Sequence, residues 1–384
     1  MQPPIQTRML AKTFFGFEEI LKKELLDLGA KDITVQNRIV KFYGDLGFLY
    51  KANFSLFTAL RILVPLTEFR AKNEEHFYRN LKKIKWESFI ENHQTFRVDA
   101  VINSSFFNHS HYIELKTKDA IVDYFREKFD TRLNISKKGA DIVFHVHIEE
   151  DRVEISLDSS GESLHKRGYK VVQHKAPISE VLAAGLLKLA DWDGKTNLLD
   201  PMCGSGTILI EAAMMAANIP PQIHRKKFAF ENWQNFDEEL FIKIKETRLN
   251  RIKEFSGKIY GYDSNKNAVL DAQENVEACN LGEFITITNQ DFFDSKKEVS
   301  PLKIIFNPPY DERLQVNNDE LYQNIGDCLK KNYPNVDAWF ITSDIEAHKK
   351  IGLRPSRKIR LFNGKLECKF YKFELYEGTK KHRE

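Results

Sequence analysis

The sequence predicts an α/β fold in which a doubly wound sheet fills the C-terminal half and smaller α+β units precede it. Three observations carry this. From residue 178 onward, strand-like apolar runs alternate with helical ones, the pattern of a parallel sheet covered on both faces. Two of those runs end in unusual polar turns, Asp200-Pro201-Met202-Cys203-Gly204-Ser205-Gly206-Thr207 and Asn307-Pro308-Pro309-Tyr310. Near the C-terminus Asn363-Gly364 separates two further strand-like runs, a strong hairpin signal. The chain has 384 residues, more than one ordinary core holds, so several domains are expected.

Taken in order, residues 7–11 read as a strand and residues 16–26 as a helix with apolar residues at helical spacing, closed by Gly29. Residues 33–35 and 39–42 flank the turn-like pair Asn37-Arg38 and suggest a hairpin, and residues 46–53 look helical. A second unit spans about 61–160, with helices at 73–84 and 118–129 and alternating strands at 95–101, 141–147 and 153–157. Residues 161–177 read as a linker. An amphipathic helix at 178–190 then leads into the first strand of the last domain, 178–384, whose further strands fall at 258–263, 285–291, 302–306 and 338–343. With 358–362 and 366–376 as an antiparallel hairpin at one edge, the expected sheet is mixed and seven-stranded.

Composition narrows the class. Hydrophobic residues make up 42% and charged residues 29%, an ordinary globular balance. No apolar run approaches the ~20 residues that cross a bilayer, and the first residues lack the apolar core of a signal peptide, so a cytoplasmic protein without membrane contact is expected. The four cysteines are far apart and form no CxxC pair, which argues against a disulfide framework and structural zinc. His145 and His147 share a strand face, as would His109 and His111 if extended, but no third ligand has suitable spacing and no metal is expected. The net charge is only +3, yet basic residues cluster, notably at Arg225-Lys226-Lys227. Such clusters are often plain solvated faces.

The first polar turn sits where a strand gives way to a helix. Its glycines let the backbone turn tightly against a ligand. It lacks the Lys of a P-loop and the third Gly of a dinucleotide fingerprint, since Leu209 stands there. Asp200, Asp263 and Asp291 fall at the carboxyl ends of three successive strands, where doubly wound folds bind ligands. Asp263 is placed to accept ribose hydroxyls and Asp291 to meet an adenine edge. Any one of them could equally be a helix cap or turn residue. This half of the site, from Asp200 through Thr207 with Asp263, Ser264, Asp291, Phe292 and Asn307, is expected to hold S-adenosylmethionine (SAM). Cys203 has no nearby His partner in sequence and is not expected to act as a nucleophile.

The second turn supplies the other half. An exocyclic amine on a nucleobase is a poor nucleophile because its lone pair is delocalised. The Asn307 side-chain oxygen and the Pro308 carbonyl could accept its hydrogens, the two prolines would fix the loop, and Tyr310 would stack on the base. Positioning then does most of the chemistry and no strong base is needed. The stretch between the first two strands of this domain is unusually long. Its surplus, about 218–256, mixes basic residues with Phe228, Phe230 and Trp233, either to grip RNA or to pack an extra helix.

The chain resembles the THUMP-domain RNA guanine-N2 methyltransferases, most closely the bacterial type acting on 23S ribosomal RNA. The likeness rests on His165-Lys166-Arg167-Gly168-Tyr169, Ala176-Pro177-Ile178, the two polar turns, Phe228-Ala229-Phe230-Glu231-Asn232-Trp233, Asp311-Glu312-Arg313-Leu314, and Leu361-Phe362-Asn363-Gly364-Lys365-Leu366-Glu367-Cys368. The resemblance implies a ferredoxin-like domain at 1–60, an RNA-binding THUMP domain at 61–160 and a Rossmann-like methyltransferase domain carrying the 218–256 insertion. It implies a catalytic set of Asn307, Pro308, Pro309 and Tyr310. Asp311 stands where the family pattern has Gly. Some relatives carry a second methyltransferase domain at the C-terminus, and none is expected in this chain. Candidate RNA contacts are Lys166, Arg167, Arg225, Lys226, Lys227 and Arg313. Ribosomal RNA is the expected substrate. Transfer RNA, adenine in DNA, and a non-catalytic RNA-binding assembly role are the alternatives.

Overall fold

A computed structural model describes residues 6–172, 178–309 and 318–377. The chain opens with β1 (Thr7–Lys12), α1 (Glu18–Leu28), β2 (Lys31–Gln36), β3 (Ile39–Gly44) and α2 (Leu46–Ser55). It continues through β4 (Arg61–Arg70), α3 (Glu74–Leu81), β5 (Thr95–Asn103), α4 (Ser110–Phe129), β6 (Asn134–Ile135), β7 (Ile142–Glu149) and β8 (Arg152–Asp158). β1 pairs antiparallel with β4, Leu10 opposite Leu63, so the first unit's sheet runs unbroken into the second. The result is one eight-stranded sheet in the order β2-β3-β1-β4-β8-β7-β5-β6. Alternate residues such as Ile142, Phe144, Val146 and Ile148 on β7 face a single core shared with Leu21, Leu25, Tyr50 and Phe125 of the helices.

The expected helix at 118–129 begins earlier, at Ser110, because Ile113, Thr117, Ala120 and Ile121 already form a buried stripe at helical spacing. His109 is therefore its N-cap residue and His111 lies in its first turn, so the two do not share a strand face. His145 is buried, with its Nε2 3.1 Å from the Lys12 ammonium, and burial holds its pKa well below the usual range. A cation at that distance repels a metal ion, and no cluster of three metal-ligating side chains exists among the described residues.

The last domain runs through α5 (Glu180–Leu189), β9 (Asn197–Asp200), α6 (Thr207–Ala216), α7 (Glu238–Leu249), β10 (Ile259–Asp263), α8 (Lys266–Ala278) and β11 (Ile285–Asn289). It ends with β12 (Leu302–Phe306), α9 (Asn318–Asn332), β13 (Asp337–Thr342), α10 (Ala347–Lys350), β14 (Arg357–Asn363) and β15 (Leu366–Glu374). Its seven-stranded sheet has the order β11-β10-β9-β12-β13-β15-β14. The first five are parallel, and β15 pairs antiparallel with both β13 and β14, so the Asn363-Gly364 hairpin closes one edge as expected. Strand order reverses between β9 and β12, which makes their carboxyl tips the switch point where such sheets bind ligands.

Two elements depart from expectation. α5 is not amphipathic in practice: eight of its ten residues are buried, because the Phe17 ring from the first unit packs onto it at Gly185. β11 stops at Asn289, and Asp291 instead caps a short turn. Among the described residues no helix is long and apolar enough to cross a membrane.

Candidate active site

The bend after β9 is built by two glycines with positive φ, Gly204 at +52° and Gly206 at +78°, the second capping α6. Such φ values suit Gly because it has no Cβ. Carboxylates hold the bend in shape. Asp200 accepts from the Met202 N–H at 3.2 Å. Asp263, at the tip of β10, accepts from the Gly204 N–H at 2.9 Å and from the Asn265 N–H at 2.9 Å. Asn275 of α8 braces the other side, donating to the Ser205 carbonyl at 3.2 Å and accepting from the Val171 N–H at 3.0 Å. A Cβ on Gly261 would fall 2.4 Å from Leu209 and 3.2 Å from the Cys203 sulfur, so β10 must be bare there for the bend to sit against it.

Register places the tips side by side. Gly261 lies opposite Asp200 on one flank of β9, and Ile304 lies opposite Leu199 on the other. Asp200 and Asn307 therefore stand on neighbouring strands across the switch point. Pro201, Cys203, Ser205, Gly206 and Thr207 are buried, while Met202 and Gly204 are half-exposed. A Cβ on Gly204 would meet nothing within 4 Å, so open space adjoins the bend there.

Among the described residues the bend carries carboxyl groups and no cation, and a bound cation would favour their ionised forms. Burial, with the neighbouring Asp263 charge adding to it, pushes the Asp200 carboxyl up to about 8. Burial also lifts the Cys203 thiol well above its usual range, which leaves it inert as a nucleophile. A bend lined by carboxylates repels a pyrophosphate and attracts a sulfonium or ammonium group. The residues present thus fit SAM rather than a dinucleotide.

Asn307 and Pro308 follow β12 directly. The Asn307 Oδ1 is buried without a hydrogen-bond partner, and so is the Thr207 Oγ1 at the start of α6. Buried polar atoms rarely stay unpaired, and each such orphan needs an explanation. Pro308 is buried and Pro309 half-exposed. Tyr310, Asp311 and Arg313 lie outside the described residues, as do Ala176 and Pro177.

Other expected residues divide. Ser264 and Asp291 are exposed at the same edge. Asp291 spends one oxygen on the Phe293 N–H at 2.9 Å. The Phe292 side chain is in the core against Phe306, with ring centroids 5.8 Å apart, so its ring does not line the site. Asn289, which sequence reasoning missed, donates to the Asp263 and Ser264 carbonyls at 2.9 and 3.1 Å and locks the tips of β10 and β11 together.

Two candidate RNA contacts are corrected. Arg167 is fully buried, its guanidinium paired with Glu211 of α6 at 3.2 Å and donating to the Phe57 carbonyl at 2.6 Å. Arg225 donates to the Ser160 and Glu162 carbonyls at 2.9 and 2.6 Å and lies over the Phe228 ring. Both forks are spent on the protein. The insertion's aromatics are spent too: Phe228, Phe230 and Trp233 join the N-terminal core, where Phe230 stacks on Tyr50 at 4.6 Å. The packing reading of the insertion is the one the structure bears out. Lys166, Lys226 and Lys227 remain exposed.

Comparison with known proteins adds to this geometry. The model of the RMKL-like methyltransferase domain matches residues 167–372, that of the THUMP domain 71–158, and that of the RlmL ferredoxin-like domain 8–63. A putative RNA methyltransferase of Synechocystis sp. is 34% identical over 364 residues, covering 94% of this chain and 95% of that protein. A ribosomal RNA large subunit methyltransferase K/L of Cellvibrio japonicus is 34% identical over 375 residues, 94% of this chain and 50% of that protein. The chain thus spans about half the length of the K/L relatives it matches. A solved structure of a putative methyltransferase complexed with SAH superposes with a TM-score of 0.86 at 29% identity, covering 97% of this chain and 99% of that one.

Proposed function

The chain belongs to the RMKL-like methyltransferase family, with THUMP and RlmL-type ferredoxin-like domains, and from that premise we propose that it methylates RNA. The reaction we assign is transfer of the SAM methyl group to the exocyclic 2-amino group of a guanine in 23S ribosomal RNA, carried out in the cytoplasm. The similarity to ribosomal RNA large subunit methyltransferases K/L supports ribosomal RNA as the substrate.

The observation that carries the chemistry is the orphaned Asn307 Oδ1 beside the acidic bend. SAM supplies an electrophilic methyl on a cationic sulfur. Asp263 offsets that charge and also faces the ribose, and Asp200 adds to the offset as it ionises toward pH 8. Asn307 Oδ1 and the Pro308 carbonyl accept the hydrogens of the incoming amine and hold its nitrogen toward the methyl. The amine proton becomes acidic only as the C–N bond forms, so it can leave to water after transfer. The paired prolines restrict φ and keep the acceptors from relaxing onto each other. A guanine inside a helix cannot reach this tip, so the base must be unstacked first.

The test is transfer of labelled methyl from SAM by the purified chain to 23S ribosomal RNA, transfer RNA and duplex DNA in parallel, followed by nucleoside analysis. N2-methylguanosine in ribosomal RNA is the expected product. Label confined to transfer RNA would move the substrate, and N6-methyladenine in DNA would overturn the amine assignment.

A further inference from the structure

Arg248, in the last turn of α7, is only 8% exposed, yet no carboxylate pairs with it among the described residues. Its Nε has no hydrogen-bond partner at all. One Nη reaches the Asn218 Oδ1 at 3.4 Å, a long contact. A buried guanidinium without a counter-charge is among the costliest arrangements in a protein interior, and a long side chain can usually escape it by turning outward. Here it does not turn.

The groups around it make the deficit larger. Arg251 follows one turn on, and Lys51 of α2 lies within electrostatic reach of both arginines. Burial first, then mutual repulsion, lowers the pKa of Lys51 and of Arg248. Neither Lys51 nor Arg251 has an ion-pair partner among the described residues. The opposing charge that bears on Lys51 is Asp45, whose carboxylate is committed to capping α2 through the Phe48 N–H at 2.7 Å. The Lys51 and Arg248 side chains are also held in place, and Arg251 is held through its backbone. Lys51 donates to the Leu28 carbonyl at the end of α1 at 2.5 Å. Asn218 receives Arg248 and donates to the Arg251 carbonyl at 2.9 Å. α2 and α7 pack directly on one another.

We infer that Lys51, Arg248 and Arg251 form a receptor for a phosphate of the RNA backbone at the seam between the N-terminal unit and the insertion. This inference rests on the RNA reading above. Gly47 of α2 sits against Leu240 and Ile244 of α7, and Lys51 and Arg248 each stand one turn further on, so an ammonium and a guanidinium flank the same seam. Such a pair suits a phosphate diester, which accepts from both and supplies the missing negative charge. α6 has ten residues and connects the cofactor bend to the segment bearing Asn218, so the receptor lies roughly 15 Å from the bend. That distance separates the target base from a phosphate several nucleotides away on the same RNA. Anchoring both units on one backbone would fix the RNA while a base is drawn out of its stack.

The experiment uses the full chain and a ribosomal RNA fragment that the wild type methylates, with binding measured across a salt series. Arg248→Met, Lys51→Gln and Arg251→Gln are each expected to weaken binding and to reduce the salt slope by about one phosphate contact, with SAM affinity unchanged. Arg248→Met is also expected to raise the melting temperature of the free protein, since it removes an unpaired buried charge. Inorganic phosphate should stabilise the wild type and not Arg248→Met. Unchanged salt slopes in all three variants would overturn the receptor. Phosphate stabilisation with unchanged RNA binding would assign the site to a free anion instead. A wild type that binds SAM but no RNA would sink the RNA reading itself, a result distinct from equal slopes.

Discussion

Arg167 and Glu211 form an ion pair with no solvent exposure on either side chain, joining the linker to the centre of α6. The guanidinium makes two contacts to the carboxylate, at 3.2 and 3.3 Å, and donates to the Leu164 and Phe57 carbonyls at 2.8 and 2.6 Å. The Tyr169 hydroxyl donates to the same carboxylate at 3.3 Å. Burial pushes the Glu211 carboxyl up, and Arg167 pulls it back. Removing one partner strands the other charge, which costs about 3–5 kcal/mol, whereas replacing both with apolar groups is often neutral. Arg167→Met should therefore unfold at a markedly lower temperature, and adding Glu211→Leu should restore most of the loss. A double variant no more stable than the single one would mean that the pair is not the reason for burial.

The Asp200 carboxyl, raised to about 8, makes cofactor binding pH-dependent. Its ionised form is the one that attracts a sulfonium. Affinity for SAM should rise with pH toward 8, by at most about tenfold per unit, and level off above it. The sign for stability is opposite in the free protein. A carboxyl with a folded pKa above its unfolded value stabilises fully below the ordinary carboxylate range, and that contribution is lost as pH rises through about 8. Calorimetry of SAM binding to the wild type and to Asp200→Asn checks this. The cofactor's own amino group titrates in both, so the difference between the profiles isolates Asp200. Identical profiles would show that Asp200 stays ionised or lies too far from the cofactor.

The strands and their polar tips were legible because period-two and continuous apolar runs carry local information, and 302–306 was read to the residue. The fates of the charged residues were not. Arg167, Arg225 and Lys226 look alike in sequence, yet only the last is exposed. What separates them is tertiary: carbonyls from residues 57, 160 and 162, distant in the chain, converge on the two arginines. One signal was available. Glu211 interrupts an otherwise apolar helix, Ile208-Leu209-Ile210-Glu211-Ala212-Ala213, and a lone acid there calls for a buried cation. The even choice left open for Phe228, Phe230 and Trp233 turned on Tyr50, which no local pattern could connect to them.

Arg225 offers a separate test, because its guanidinium joins the insertion to the end of β8 rather than to a ligand. Three of its contacts go to carbonyls at 2.6–3.1 Å, and burial lowers its pKa to about 10. Arg225→Ala leaves those carbonyls unpaired, at about 1–3 kcal/mol each where they are buried. The expected result is a lower melting temperature with an unchanged salt slope for RNA binding. The neighbouring Lys226→Gln should leave stability alone. A reduced slope in Arg225→Ala at temperatures where it is folded would return that residue to the RNA interface.

Asn307 and Asp263 should separate the two halves of the site. Asn307 Oδ1 has no partner in the free protein, so Asn307→Ala breaks no hydrogen bond at that oxygen and should change melting little. It does remove an acceptor aimed at the amine in the transition state. Loss of one such preorganised group lowers kcat about 10²–10³-fold, while the dissociation constant for SAM changes little. Asp263 works the other way. It holds the bend through Gly204 and Asn265 and is the carboxylate proposed for the ribose. Asp263→Ala should weaken SAM binding by roughly the ~1.5–3 kcal/mol of a charged hydrogen bond, and saturating cofactor should recover most of the turnover. Single-turnover kinetics with titrated SAM reads both quantities at once. If the two variants lose cofactor affinity and turnover in equal measure, the tips of β10 and β12 do not divide binding from chemistry.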